Sequence, residues 1–187
     1  MHSFCKTTLD KYILVFSLLK LAIIEGKTLI VVDDITEAYR MKFFLQKFNI
    51  TSFVLAPDMP KNQIGSILHF FHIGQFSILI ALHTGYASRP QIKELTNVIN
   101  FDMPSNYNGY KENGQIVNDE EGCILSLPKV DKKEDMDMLQ LLQRKFHKNF
   151  GHNMTLKCVP VMWQEITKVK SRVEAIVNYL TPKTVKK

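Results

Sequence analysis

The sequence has no run of about 18 apolar residues, so it contains no stretch of the kind that crosses a bilayer as a helix. Its first residues, Met1-His2-Ser3-Phe4-Cys5-Lys6, lack the basic-then-apolar order of a signal peptide. Cysteine is scarce and odd in number. Cys5, Cys123 and Cys158 show no C-x-x-C spacing, which argues against a disulfide framework or a zinc site and for a reducing compartment. No glycine-rich dinucleotide fingerprint, Ser-His-Asp elbow or paired-carboxylate motif is present. Gly26-Lys27-Thr28 looks like the end of a phosphate loop. Leu21 stands where that loop's first glycine belongs, however, and the order is helix then strand, which aims no helix N-terminus at a phosphate. Without such a loop, Asp33-Asp34 at a strand end is better explained by helix capping from Asp34 than by magnesium. His69 and His72 lie three apart with no third ligand near and read as exposed helix positions; His147 and His152 read as surface residues.

What is present is ordinary for a globular domain: 45% hydrophobic and 22% charged residues in 187, enough chain to bury a core. The net charge of +6 is unevenly placed. Residues 1–128 carry 11 Lys/Arg against 12 Asp/Glu, whereas residues 129–187 carry 13 against 6. A basic last third is the footprint of a nucleic-acid or acidic-protein partner, or simply of a solvated helix and a lysine tail.

The stretch from Gly26 to Leu55 reads as strand, helix, strand. Leu29-Ile30-Val31-Val32 is an apolar, β-branched run of the kind buried on both faces of a sheet. Asp34 caps the next helix, Glu37 closes the capping box, and Met41, Phe44, Leu45 and Phe48 share one helical face. Asn49 stops it before a strand at Thr51–Leu55, which makes a βαβ unit. A helix over Asp10–Glu25, capped by Thr7 or Thr8 and ended by Gly26, precedes this unit.

Beyond it the pattern predicts a helix from about Lys61 that ends at Gly74, then strands at Phe76–Leu82, Thr96–Asp102 and Gly122–Leu127. Residues 105–121 read as a loop with at most a helical turn around Tyr110. A helix over Lys132–Phe150 has acids in its first turns and bases in its last. A short strand at Met154–Val161 and an amphipathic helix over Trp163–Leu180 follow. Burying the six apolar residues of that last helix contributes roughly 10 kcal/mol gross, so its apolar side packs on the domain or on a partner. Cys123 and Cys158 read as small core residues in strands. Together these elements imply an α/β fold, a mostly parallel sheet covered by helices on both sides. Its ligand-bearing carboxyl edge holds Asp33-Asp34, Ala56-Pro57, His83-Thr84, Asp102 and Pro128.

The ordered stretches Asp10-Lys11-Tyr12-Ile13-Leu14, Gly26–Val32, Tyr39–Leu45, Met59-Pro60, Phe71-His72-Ile73-Gly74, Leu79-Ile80-Ala81 and Val98–Pro104 carry a resemblance. Taken together they resemble the second, RecA-like lobe of a DEAD-box RNA helicase, nearest the nucleolar branch that acts in large ribosomal subunit assembly. The resemblance implies a RecA-like three-layer sandwich over residues 1–150. A short strand and a basic amphipathic helix would occupy residues 151–187. It also implies nuclear and nucleolar localisation, RNA (pre-ribosomal) as partner, a first RecA-like lobe and an assembly-factor protein. RNA contacts are implied at Lys61, Asn62, Thr84 and Arg89, with Lys168 and Arg172 on the basic helix.

The departures from the family pattern bear on activity. Ile64 stands near the expected arginine of the Q-x-x-R motif, and Leu82-His83 replaces Thr-Asp at a strand end unless Thr84 substitutes. The Arg-Gly-x-Asp motif reads Ser88-Arg89-Pro90-Gln91, and His-Arg-x-Gly-Arg reads Glu112-Asn113-Gly114-Gln115. The ATP-facing positions Gln91, Asn113 and Gln115 are therefore uncharged, and amides do not replace bidentate guanidinium groups on a phosphoryl. The resemblance thus implies no cofactor in this chain, with ATP and magnesium entering only beside a first lobe. The expected function is an RNA-binding lobe that hydrolyses no ATP alone. The alternative is a silent scaffold docking protein through its C-terminal helix.

Overall fold

Alternation along each strand decides the layering. In the computed structural model, β1 (Thr28–Val32) sends Ile30 and Val32 to one side and Leu29 and Val31 to the other, all four with essentially no exposure. Its neighbours follow in register: Leu29 lies opposite Leu79 of β3 (Ile78–Leu82) and Val98 of β4 (Asn97–Asn100). Phe53 of β2 (Ser52–Leu55) and Ile124 of β5 (Cys123–Ser126) extend that row outward. Every pairing is parallel, in the order β2-β3-β1-β4-β5. The structure describes residues 5–83, 92, 95–115, 122–150 and 163–181, and in 113–115, 146–150 and 163–169 only the backbone.

The first face is covered by α1 (Thr8–Lys20), α2 (Ile35–Gln46) and α6 (Trp163–Leu180), whose Val15, Phe44 and Val173 are fully buried against Ile30, Ile80 and Ile99. Opposite them, α3 (Lys61–His72) lays Leu68 and Phe71 on Leu29 and Leu79. On the same side, α4 (Tyr107–Gln115) and α5 (Lys133–Phe150) pack through Tyr110, Leu139 and Leu142, with Ile124 beneath. This is the three-layer architecture expected from the alternation. The amphipathic helix α6 closes on its own domain, burying Val173 and Val177 against α1 and α2. No helix among the described residues is long and apolar enough to cross a membrane.

Several expectations need correction. Helix α1 ends at Lys20, not Glu25, because Ala22 takes φ +50° and the Ile23 N–H turns back to Leu18 O at 3.0 Å. Gly26 therefore caps no helix. It sits at φ +86° in the turn that starts β1. Thr7 is the N-cap of α1, with a reciprocal box to Asp10. Asp34 caps α2 through the Glu37 N–H at 2.8 Å, but Glu37 does not close the box. Its carboxylate turns inward to the Tyr12 hydroxyl and pairs with Arg40, where burial rewards a bonded acid.

The expected loop at 105–121 contains the nine-residue helix α4, started by the Asn106 carboxamide accepting from Gly109 N–H at 2.9 Å. His72 is half-buried where an exposed position was expected, and Cys123 is half-buried rather than core. The expected strand at Met154–Val161, Cys158, His152 and the terminal lysines lie outside the described residues, and so does the side chain of His147.

Helix α3 ends as predicted at Gly74, φ +77°, with Gln75 N–H returned to Phe70 O at 3.0 Å. Gly65, mid-helix, has nothing within 4 Å of where a Cβ would stand. Gly65→Ala should stabilise the fold by about 0.5–1 kcal/mol, because the backbone entropy lost by glycine is reduced and no neighbour is displaced. Urea denaturation midpoints measure this directly.

Candidate nucleic-acid interface

Because all five strands run the same way, the loops that follow them meet at one edge. Asp33-Asp34 ends β1, Pro57–Pro60 leads from β2 into α3, His83 follows β3, Asp102 follows β4 and Pro128 follows β5. Asp102 ties this edge together. Its Oδ1 accepts the Lys11 ammonium at 3.0 Å and its Oδ2 accepts Asp33 N–H at 3.1 Å. The Asp102 carbonyl accepts from His83 Nε2 at 2.7 Å, which fixes a proton on that ring nitrogen, since a carbonyl only accepts. Three strand ends are thereby stitched together.

Lys11 is only 2% exposed; its ammonium also donates to Phe101 O at 2.5 Å and lies 5.2 Å above the Phe101 ring. Sequence reasoning missed it. The available signal was its place at i with Val15 and Leu18 at i+4 and i+7, the inward face of α1. Lys132 and Asp135 were missed as well. Lys132 bonds Asp135 at 3.2 Å and comes within 4.0 Å of Asp33, while the buried Asp135 carboxylate also accepts Lys129 N–H at 2.9 Å. Burial alone would lower the Lys132 pKa; the Asp135 hydrogen bond and the charges of Asp135, Asp33 and Asp102 outweigh it and hold the group up.

Asp33 is the strained member. Burial and then the neighbouring Asp102 charge push its carboxyl above the ordinary range. An acid whose folded pKa is raised is best tolerated when protonated, so its contribution is most favourable below the usual carboxylate pKa and is lost as pH rises through the raised value. Asp33→Asn should therefore stabilise at neutral pH, by under about 0.5 kcal/mol because half the side chain stands in water. The gain should vanish below about pH 4, where the carboxyl is already neutral. Thermal melts at both pH values check the sign.

Of the sequence-derived site residues, Lys61 and Asn62 are exposed at the start of α3, on this carboxyl edge. Arg172 lies elsewhere: its guanidinium is 5.2 Å over Phe48, beyond the end of α2, and so toward the amino edge of the sheet. Asn113 and Gln115 belong to the last turn of α4, where the backbone alone is described. Lys168 is on α6, again with only its backbone described, and Thr84, Arg89 and Gln91 lie outside the described residues. Among the described residues no three metal-ligating side chains cluster. Gly26-Lys27-Thr28 is at the amino edge, with the Lys27 ammonium bonded to His72 O at 3.0 Å, away from the ligand-bearing end.

With this geometry in hand, comparisons with known proteins agree with one another. Residues 10–118 match the family described as the helicase conserved C-terminal domain. The chain is 34% identical over 133 residues to the ATP-dependent RNA helicase dbp9 of Schizosaccharomyces pombe, a match that takes in 67% of this chain and 22% of that protein. It is 30% identical over 135 residues to DEAD-box ATP-dependent RNA helicase 16 of Arabidopsis thaliana, covering 54% of this chain and 22% of that one. The matched region thus spans about a fifth of each relative. Among solved structures, the C-terminal domain of the DEAD-box protein Dbp5 superposes with a TM-score of 0.72 at 20% identity, over 92% of this chain and 96% of that one.

Proposed function

From the premise that the chain belongs to the helicase conserved C-terminal domain family, with the RecA-like fold of DEAD-box C-terminal lobes, we propose that it is an RNA-binding second lobe that hydrolyses no ATP by itself. We extend the proposal to pre-ribosomal RNA, a first RecA-like lobe and an assembly-factor protein as partners, and to the nucleus and nucleolus as its place of action. The observation that carries the RNA reading is the start of α3. There Lys61 and Asn62 are exposed at the ligand-bearing edge, Pro60 supplies no side-chain cap, and the first turn holds no acid. Uncapped amides, the positive end of a helix dipole and a lysine together favour a phosphate. By contrast α1 and α2 each have one first-turn amide, Asp10 N–H and Glu37 N–H, taken by the side chains of Thr7 and Asp34.

The ATP reading rests on charge. A triphosphate calls for cations, and in the family those are arginines of α4; here Asn113 and Gln115 stand in that helix. Of the described lysines at the edge, Lys11 and Lys132 are already bonded to Asp102 and Asp135, while Lys61 stands exposed at the start of α3. ATP and magnesium should therefore neither turn over nor bind. The chain with ATP, magnesium and single-stranded RNA should release phosphate no faster than buffer, and its melting temperature should not move. A shift of several degrees would contradict the reading. The scaffold alternative loses the apolar side of α6 where Val173 and Val177 are covered by α1 and α2.

A further inference from the structure

Helix α6 has a direction, and that direction decides where its charge goes. Near its middle, the Arg172 guanidinium lies 5.2 Å over Phe48, beyond the end of α2 and toward the amino edge of the sheet. About two turns later, Leu180 shares a surface groove with Ile35, Thr36 and Tyr39, in the first half of α2. Helix α2 starts directly after the Asp33-Asp34 end of β1, so α6 runs antiparallel to it, from the amino edge toward the carboxyl edge. Val173 and Val177, buried against α1 and α2, hold that course. The last turn is closed as well. Both the amide and the hydroxyl of Thr181 donate to Val177 O, at 2.9 and 2.8 Å. Helix α6 ends at Leu180, two residues before Pro182, which has no N–H to extend the ladder.

The residues that follow Thr181 are Pro182-Lys183-Thr184-Val185-Lys186-Lys187, with three lysines and no acid. Six residues reach at most about 20 Å from the end of the helix. Along the carboxyl edge, β1 and β2 are separated by β3 alone, a distance of about 10 Å between the strands that lead into α2 and α3. The lysine segment and the exposed Lys61 and Asn62 at the start of α3 can therefore meet neighbouring phosphates of one strand. Asp33 and Asp34 are exposed near the end of α6 and offer these lysines a competing partner inside the chain. Other exposed bases are placed differently. Lys20 ends α1 and Lys47 follows α2, both at the amino edge, and Lys170 lies in the half of α6 nearer that edge.

We propose that α6 delivers the lysine segment to the RNA-bearing edge, where Lys183, Lys186 and Lys187 contact phosphates of the strand held at α3. This role of α6 rests on the RNA reading above and adds to it a second set of contacts. The test is fluorescence anisotropy of labelled oligo(U) across a salt series with three proteins. They are the full chain, Lys183→Gln/Lys186→Gln/Lys187→Gln, and Lys20→Gln/Lys47→Gln/Lys170→Gln, which removes the same charge at the amino edge. Losing the three tail lysines should weaken binding and make the slope of log affinity against log salt shallower by about two, with an unchanged melting temperature. The amino-edge variant should keep the slope of the full chain. Equal effects of the two variants overturn the proposal, because net charge and not placement would then explain the binding. An unchanged slope or tighter binding of the tail variant also overturns it, the latter as expected if the lysines only cover Asp33 and Asp34. No binding by the full chain overturns the RNA reading and this role together, whereas a slope that responds to Lys61→Gln but not to the tail lysines overturns this role alone.

Discussion

Asp102→Ala should cost the fold about 2–4 kcal/mol, a large share of what holds a domain of this size together. The reason is Lys11. Its ammonium is out of water, held by the Asp102 carboxylate at 3.0 Å and by Phe101 O at 2.5 Å. Truncating Asp102 leaves a buried positive charge with one neutral acceptor and also orphans the Asp33 N–H. The estimate sits at the lower side of what breaking a buried ion pair costs, because Asp102 itself is 20% exposed and water can approach. Lys11→Met should be milder, since it removes the buried charge and leaves a carboxylate that already meets an amide and solvent. The double variant Lys11→Met/Asp102→Ala should recover part of the loss. A urea-denaturation cycle over the four proteins measures the coupling, and an Asp102→Ala cost below about 1 kcal/mol would show that Lys11 is not held in this way.

The second large effect is expected at the amino edge. Gly26 has φ +86°, and a Cβ built there would stand 2.4 Å from Thr96 Oγ1. A left-handed L-residue costs about 1–2 kcal/mol, and moving Thr96 disturbs a hydroxyl within reach of Glu25 O at 3.2 Å and Lys27 O at 3.0 Å, worth about 1 kcal/mol more. Gly26→Ala should therefore destabilise by about 2–3 kcal/mol. Adding Thr96→Ala should return the steric part and leave the backbone part. If Gly26→Ala unfolds at the wild-type urea concentration, the start of β4 does not pack on this turn. The contrast with Gly65, where alanine should help, separates two uses of the same residue.

How much of this was legible beforehand depends on what writes a signal into sequence. The buried run of β1, the bounds of α6 and the stop of α3 at Gly74 all carry periodicity or a glycine, and the structure has them as read. Ala22 has no such mark. The apolar period runs on through Ile23, and only the left-handed turn of the backbone ends α1 early. Helix α4 is polar and holds two glycines, so propensity argued for a loop. Its Tyr110 is buried beside Leu139 and Leu142 of α5, and that tertiary contact holds the helix. At the edge, Asp102 and His83 were placed by the strand pattern alone. Lys11, Lys132 and Asp135 come from other elements, and no local pattern joins Lys11 to Asp102, 91 positions away.

The central claim, an RNA-gripping lobe without its own ATP chemistry, is tested most directly by fluorescence anisotropy of a labelled single-stranded RNA titrated with the chain across a salt series. The predicted result is weak binding whose log affinity falls linearly with log salt, with a slope made shallower by about one ion when Lys61 is replaced by glutamine. Binding that ignores salt, or no binding at the lowest salt, would contradict it.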